Sequence, residues 1–203
     1  MLRTAAVVTA LAFAAPPCSA QTPQTPPPLA PRAFAFPDTL GANFDIADSA
    51  KAVGAPTDYD FLEGTWRFQF QQRHPDGTFS PAFAGEWSAH KKPGGLLVED
   101  HWRGDSPGQP SEAGTYTYRA FNQATKRWEM MGVNTQNPRW GPGLTWSDGE
   151  NRYAIQHQGP TIMRIRYFAI KPNEFSWRAD MSADGGKTWS RDWWTMHVTR
   201  VGG

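Results

Sequence analysis

The sequence predicts an all-β protein built around an antiparallel up-and-down barrel of about eight to ten strands. Short segments with a period of two follow one another from residue 58 to residue 201, and compact turn sequences separate them. No long segment has the helical period. A β-sandwich is the alternative, but tight turns between sequential strands favour a barrel, whose closure removes the exposed sheet edges.

The first twenty residues are typical of a secretory signal peptide. Arg3 supplies a positive start, residues 5–15 form an apolar stretch, and residues 18–20 form a small-residue cleavage site. The apolar stretch is too short to cross a membrane as a helix. We therefore expect cleavage near Ala20 and a mature protein that is secreted or periplasmic.

Cys18 is the single cysteine of the chain. Its removal with the signal peptide would leave no disulfide, no thiol nucleophile and no cysteine-ligated metal. The alternative is a lipoprotein acylated on Cys18. That alternative is less favoured, because the prolines at positions 16 and 17 fit a lipidation motif poorly.

Residues 21–57 are predicted to form a proline-rich linker that is mostly disordered. The run 21–28 favours an extended polyproline conformation without packing. Phe34, Phe36 and Phe44 are the exceptions to the polar character of this segment. Whether these rings dock on the domain or stay mobile is left open.

The first strand of the domain, predicted over 58–73, has the clearest alternation. Trp66, Phe68 and Phe70 fall on one face, and the residues between them are polar. Pro-Asp-Gly at 75–77 ends it as a turn, because proline fixes φ and glycine accepts positive φ. The further predicted strands are 79–91, 96–103, 114–122, 127–134, 144–146, 152–158, 161–170, 174–182 and 188–200, with an irregular loop over 137–143.

The start of the first strand carries a family pattern. Gly64-Thr65-Trp66 after a short lead-in resembles the start of lipocalins and other calycin barrels. In that family the tryptophan closes the base of the barrel, and an arginine near the end of the last strand packs across it. The resemblance gives this second role to Arg200. A guanidinium over a largely desolvated indole contributes up to roughly 2 kcal/mol.

A closer resemblance covers almost all of residues 58–201. The patterns at 60–66, 118–128 and 182–200 are similar to those of a family of bacterial secreted proteins of unknown function with a lipocalin-like barrel. This resemblance implies the fold and a secreted domain over 58–201, but no defined activity. The nitrobindin branch binds haem and has a glycine-rich motif after its tryptophan. Residues 67–70 are Arg-Phe-Gln-Phe instead, so we expect no haem and no other cofactor.

The apolar alternation, carried forward from Trp66, predicts which side chains line the barrel. The predicted lining is aromatic with isolated polar positions, as in small-molecule sites, and a buried Asp100 would need a partner. Arg164, Arg166 and Arg178 fall on the outer face as surface charges. The predicted ligand-binding residues are Trp87, Asp100, Trp102, Asn134, His157, Tyr167 and Trp177.

Two strands test this assignment of faces. On 114–122 both faces remain open, because the tyrosines of one face oppose the threonines and Phe121 of the other. On 152–158 we expect Tyr153, Ile155 and His157 to face inward together.

The favoured hypothesis is a non-enzymatic protein that binds a small, partly apolar ligand in the mouth of the barrel. One alternative is an isomerase or lyase that uses Asp100 or His157 as general acid or base, although no motif demands such a reaction. Another is a structural or surface-interaction module with a filled barrel, which would contact its partner through exposed residues such as Trp140 or Phe34.

Other functional classes find less support in the sequence. The formal net charge is +1 with no block of like charges, which argues against a nucleic-acid binder. Glu99 and His101 share a strand face, but no third ligand accompanies them, so no metal site is predicted. Residues 182–189 fit the Asp-box pattern of sialidase-type propellers. A propeller needs several copies, and this chain has one, so we interpret the motif as a structural hairpin.

Overall fold

The computed structural model describes residues 53–105, 108, 110–138, 140–158 and 160–202. Within this part of the chain, ten strands form one closed antiparallel barrel. Each strand pairs with its sequence neighbours, and the last pairs with the first. The predicted up-and-down barrel is confirmed, and the sandwich alternative is wrong. The strands are β1 Gly64–Gln72, β2 Phe83–Lys91, β3 Leu97–Gly104, β4 Thr115–Asn122, β5 Arg127–Asn134, β6 Trp140–Ser147, β7 Arg152–Gln158, β8 Thr161–Lys171, β9 Glu174–Ser182 and β10 Ser190–Arg200.

The segment before β1 is folded against the barrel. The first strand begins six residues later than predicted, because a turn and the 3-10 helix Asp60–Leu62 occupy the start of the predicted segment. Further back, Gly54 donates a backbone hydrogen bond to the carbonyl of Lys126. The predicted signal peptide and the linker up to residue 52 lie outside the described residues. No helix in the described part of the chain is long and apolar enough to cross a membrane.

Strand β6 is longer than the sequence predicted, since it includes part of the expected loop 137–143. Glycines allow the backbone to be extended here. A Cβ on Gly141 would lie 2.7 Å from Nε2 of Gln156, and a Cβ on Gly143 would lie 2.8 Å from Cγ of Met130. A Cβ on Gly143 would also lie 2.4 Å from the backbone carbonyl oxygen of Ile155, so a larger residue there would clash with the neighbouring strand, whereas at Gly141 the side chain of Gln156 would have to shift. These glycines matter below, because they make room for Gln156.

The two ends of the barrel differ. We call the end at which β1 starts the closed end and the opposite end the open end. Large side chains fill the closed end, where Trp66, Leu62 and Trp128 have no exposed surface. Trp66 is paired in register with Arg200 on β10, and the Cζ atom of Arg200 lies 4.0 Å from the centre of its indole ring. The predicted pairing of these two residues is confirmed.

One predicted surface charge is buried. Arg164 lies on the outer face of β8 as expected, but its side chain is fully buried. Its Nη2 atom donates to Asp180, and its guanidinium lies 3.7 Å from the ring centre of Trp189. The prediction of a solvated arginine was wrong because a carboxylate and an indole compensate for the lost water. Arg166 and Arg178 are partly exposed on the same face.

The Asp-box sequence forms a hairpin between β9 and β10. Asp184 accepts hydrogen bonds from the backbone amides of Lys187 and Thr188, at 3.0 and 2.9 Å. The Ser182 hydroxyl donates to Asp184 at 2.8 Å. Trp189 donates to the carbonyl of Gly186 at 3.0 Å, which holds the indole against the turn. The interpretation of this motif as a local turn-stabilising device is confirmed.

Candidate functional site

A cavity of about 370 Å³ occupies the open half of the barrel. It extends from the exposed rim residues Gln136 and Asn137 down to Trp87, which is 2% exposed. This volume falls within the range of small-molecule sites, roughly 300–1,000 Å³. The remaining lining residues are Trp102, Thr115, Thr117, Arg119, Met130, Asn134, Gln156, Gln158, Thr161, Met163, Ile165, Tyr167, Trp177 and Trp194.

The lead-in segment closes the barrel beneath the cavity. The Tyr59 hydroxyl donates to Oγ1 of Thr145 at 2.7 Å, and the ring packs edge-on against Trp128 and Tyr167. Trp128 in turn donates its indole N–H to the carbonyl of Ala55 at 2.9 Å. Burial raises the pKa of Tyr59 well above its usual value, so this phenol remains a neutral donor. The closed end is therefore a packed, hydrogen-bonded plug.

A buried polar network forms the floor of the cavity. Asp100 and Arg119 form an ion pair through Oδ2 and Nη1, and both side chains are at most 2% exposed. The second oxygen of Asp100 accepts the indole N–H of Trp87 at 3.0 Å. The second amino group of Arg119 donates to the Tyr167 hydroxyl at 2.8 Å. The guanidinium also lies 4.9 Å from the ring centre of Tyr59, which joins the network to the plug.

One donor of this network has no acceptor. Nε of Arg119 is buried, and no hydrogen-bond partner accompanies it. Most buried donors in proteins are paired, because an unpaired one costs roughly 1–3 kcal/mol. Because Arg119 lines the cavity, a ligand acceptor could satisfy this donor there. The indole N–H of Trp194, another lining residue, is also buried without an acceptor.

A second polar element is the side chain of Gln156, which is buried on the wall. Its Nε2 atom donates to the carbonyl of Gly141 at 3.0 Å. A Cβ on Gly132 would lie 2.2 Å from the same nitrogen. The glycines of β5 and β6 thus leave the space that this amide occupies. Its carbonyl oxygen is an acceptor beside the cavity.

The structure brings most of the predicted site residues together. Asp100 lies just beneath the cavity, where Trp87 and Arg119 satisfy its two oxygens. It therefore supports the floor without lining it. His157 is separate from the others. The predicted residues that line the cavity are Trp87, Trp102, Asn134, Tyr167 and Trp177.

The prediction that His157 faces inward was wrong. The pairing of β7 with its neighbours places Ala154 and Gln156 on the inner face, and Tyr153, Ile155 and His157 on the outer face. Both faces of this strand are largely buried. The apolar residues of the outer face were therefore mistaken for the residues that face the barrel interior. Burial lowers the pKa of His157, which favours a neutral imidazole outside the barrel.

Sequence reasoning missed Arg119, Gln156 and Trp194. Arg119 shares the inner face of β4 with Thr115, Thr117 and Phe121, as the register with β3 shows. A signal for it existed, because a buried Asp100 requires a cationic or donor partner. The threonines made this inner face difficult to recognise from the sequence, since a polar inner face has the same residue pattern as a face exposed to solvent.

The residues considered as a metal pair have other partners. Glu99 forms a salt bridge with Lys92 at 2.6 Å. His101 stacks on Tyr116 with ring centres 4.1 Å apart, and its Nε2 lies 3.1 Å from the carbonyl of Ala113. In the described ranges, no three His, Cys, Asp or Glu side chains are grouped to hold a metal ion.

A second depression, of about 390 Å³, lies on the outside of the barrel. Polar side chains such as Gln69, Gln71 and Arg178 line much of it, together with the exposed ring of Phe79. Its ion pair joins Arg178 and Asp192, whose side chains are 32% and 38% exposed, whereas the ion pair beneath the interior cavity is fully buried. The interior cavity is therefore the candidate site.

Comparison with known proteins supports the fold and leaves the activity open. No protein-family model matches the chain, and no curated protein matches it in sequence. Among solved structures it is similar to the S-type phycobiliprotein lyase CPES from Guillardia theta, with a TM-score of 0.52 and 9% identity over 71% of this chain and 91% of the lyase. It is also similar to Rv2717c from M. tuberculosis, with a TM-score of 0.49 and 14% identity over 73% of this chain and 99% of that one.

The lyase is a lipocalin-like barrel, so the chain shares that fold with it. At 9% identity the likeness extends to the fold alone. The narrower assignment to a secreted family of unknown function remains a prediction.

Proposed function

We propose that the protein is a secreted lipocalin-like binding protein that holds a small, partly apolar ligand in the open half of its barrel. The observation that carries this proposal is the interior cavity of about 370 Å³. A filled barrel would have suited a purely structural module. Instead, the closed end is filled, and the open half keeps a space that is lined by aromatic rings and a few polar groups.

The arrangement of the cavity matches what a ligand site requires. Indole and aliphatic side chains provide apolar contact area for a ligand. Amides at the rim and the guanidinium at the floor can orient the ligand through hydrogen bonds. A site for which the plug and the floor network are already formed needs little reorganisation on binding, which lowers the cost of association. The predicted signal peptide supports secretion as the second part of the proposal.

The enzymatic alternative finds no support in the geometry. One of the similar barrels is a lyase, but the two acid–base candidates of this chain are poorly placed for catalysis in the cavity. Asp100 is held in an ion pair beneath the floor, and His157 lies on the outer face. A general acid or base has to reach the reacting proton directly or through one water.

A cavity-blocking variant tests the proposal. Thr115 lies on the cavity wall near the open end, and we expect Thr115→Phe to fill the entrance. The neutral, apolar dye N-phenyl-1-naphthylamine serves as the probe, with energy transfer from the lining tryptophans as the signal. Thr199→Phe is the control, because Thr199 is exposed on the outer face of β10. We expect the wild type and the control to bind the dye equally, and Thr115→Phe to bind it at least tenfold more weakly.

Two results would overturn the proposal. One is the absence of any dye binding by the wild type; the other is equal binding by Thr115→Phe and Thr199→Phe. Native mass spectrometry of the protein purified from the compartment into which it is secreted provides a second measurement. A retained small molecule of defined mass is the expected result.

A further inference from the structure

We infer that the ligand is electrically neutral and that it presents a carbonyl-type hydrogen-bond acceptor to the floor of the cavity. This inference rests on the proposed function and adds the chemical class of the ligand. It follows from three features of the cavity, namely its charge balance, the hydrogen-bond donors of its floor that have no acceptor, and the apolar surface of its walls.

The first feature is the charge balance. Among the described lining residues, Arg119 is the only Asp, Glu, Lys, Arg or His side chain. Its charge is already compensated, because Asp100 forms a buried ion pair with it. A ligand carboxylate or ammonium would lose its water without gaining an unpaired counter-charge, which is unfavourable for a buried ion. The cavity therefore disfavours both anions and cations.

The second feature is the excess of donors at the floor. Both oxygens of Asp100 already accept hydrogen bonds, so it offers little to a ligand. By contrast, Nε of Arg119 has no acceptor. The Tyr167 hydroxyl accepts from Arg119, which leaves its own O–H to donate. An uncharged carbonyl, amide or ester oxygen would satisfy these donors without upsetting the charge balance.

The third feature is the wall above the floor. Between the floor and the rim the surface is dominated by indole rings and aliphatic side chains, which favour a flat apolar body. Amides return at the rim, where Asn134 also caps the backbone amides of Gln136 and Asn137. The indole rings that line the cavity are those of Trp87, Trp102, Trp177 and Trp194.

A series of three matched probes tests the inference. 1-Naphthaleneacetamide, 1-naphthaleneacetate and 1-naphthylmethylammonium share one aromatic body. The amide and the acetate differ in charge, and the ammonium reverses the charge and lacks the carbonyl acceptor. Binding to the wild-type protein is measured by isothermal titration calorimetry at pH 7. We expect the amide to bind at least tenfold more tightly than either ion, which corresponds to about 1.4 kcal/mol.

A charge-altering variant tests the reason for this preference. Asp100→Asn keeps the shape of the floor but leaves the charge of Arg119 uncompensated, so the ratio of acetate to amide affinity should rise at least tenfold. The matched control is Asp180→Asn, because Asp180 forms an equally buried pair with Arg164 on the outer face. We expect the control to keep the wild-type ratio. If Asp100→Asn does not fold, the wild-type series decides by itself.

The possible results separate this inference from the proposed function. If the acetate or the ammonium binds as tightly as the amide, the inference is wrong while ligand binding stands. If none of the three binds but N-phenyl-1-naphthylamine does, the acceptor requirement is wrong and the binding function again stands. If no probe of either kind binds, the inference and the proposed function fail together.

Discussion

Arg200 fixes the indole of Trp66 at the closed end of the barrel while it also binds three backbone carbonyls. Its guanidinium lies over the ring, and its nitrogen atoms donate to the carbonyls of Pro172, Glu63 and Phe61 at 2.9, 2.6 and 3.1 Å. The indole N–H of Trp66 donates to the carbonyl of Leu62 at 2.8 Å. The two side chains thus join the lead-in segment, the first strand and the last strand.

Truncation of Trp66 should destabilise the barrel strongly. The side chain is fully buried, so Trp66→Ala removes its packing and leaves a void that we expect to cost roughly 3–5 kcal/mol of unfolding free energy. Urea denaturation followed by circular dichroism measures this cost. The control is Trp140→Ala, because Trp140 is 62% exposed and its loss should change the stability by less than about 0.5 kcal/mol. A loss below about 1 kcal/mol for Trp66→Ala would contradict the role of this residue as a plug.

Replacement of Arg200 by lysine should also be costly, although the charge is kept. A single ammonium group lacks the planar fork that reaches three carbonyls at once, so we expect Arg200→Lys to lose about 2 kcal/mol. The same denaturation experiment measures the loss. Arg103→Lys on the outer face of β3 is the matched control and should be nearly neutral. Equal stability of the two variants would show that charge alone suffices at position 200.

The ion pair beneath the cavity should behave as one unit. Arg119→Met leaves the carboxylate of Asp100 buried without its counter-ion, and we expect a loss of roughly 3–5 kcal/mol. The double variant Arg119→Met/Asp100→Asn removes both charges, so it should lose less than the sum of the two single variants. A double-mutant cycle in urea measures this coupling. Simple additivity of the two losses would contradict the pairing.

The hairpin between β9 and β10 should weaken in acid. Hydrogen bonds from Thr188, first from its backbone amide and then from its hydroxyl, lower the pKa of Asp184 from 3.8 to about 2. A carboxylate with a depressed folded-state pKa stabilises the protein above its unfolded pKa, and this stabilisation is lost as the pH falls from about 4 towards 2.

The variant Asp184→Asn tests this pH dependence. We expect it to be less stable than the wild type at pH 7, and we expect this difference to shrink as the pH approaches 2. Thermal unfolding of both proteins at a series of pH values provides the measurement. A difference in stability that stays constant over this range would argue against a role for the charge of Asp184.

Strand positions followed from the sequence where one face was clearly apolar and turns marked both ends. The bounds of β5, β7 and β9 agree with the prediction at every terminal residue. The start of β6 was missed because Gly141 and Pro142 are typical of loops. In the structure a Cβ at position 141 would lie 2.7 Å from Nε2 of Gln156 and would displace that side chain. This contact comes from a neighbouring strand and cannot be seen in the local sequence.

The cavity was harder to predict than the barrel, because its lining is partly polar. On β4 the inner face carries Thr115, Thr117 and Arg119, whereas Tyr118 on the outer face is 38% exposed. On β7 both faces are buried, so hydrophobicity alone could not show which face points into the barrel and that His157 lies outside. The register between strands decides both cases, and it depends on contacts between residues far apart in sequence.

The link between Arg200 and the lead-in segment also bears on how the chain folds. The hydrogen bonds from Arg200 to Glu63 and Phe61 span 137 and 139 residues. Contacts of such separation carry a large loop-closure entropy and form late in folding. Of the ten strands, β10 is synthesised last, so until it emerges β1 and β9 each keep one unpaired edge that is exposed to other chains. The bonds that join Arg200 to the lead-in segment therefore depend on the last of the ten strands to be synthesised.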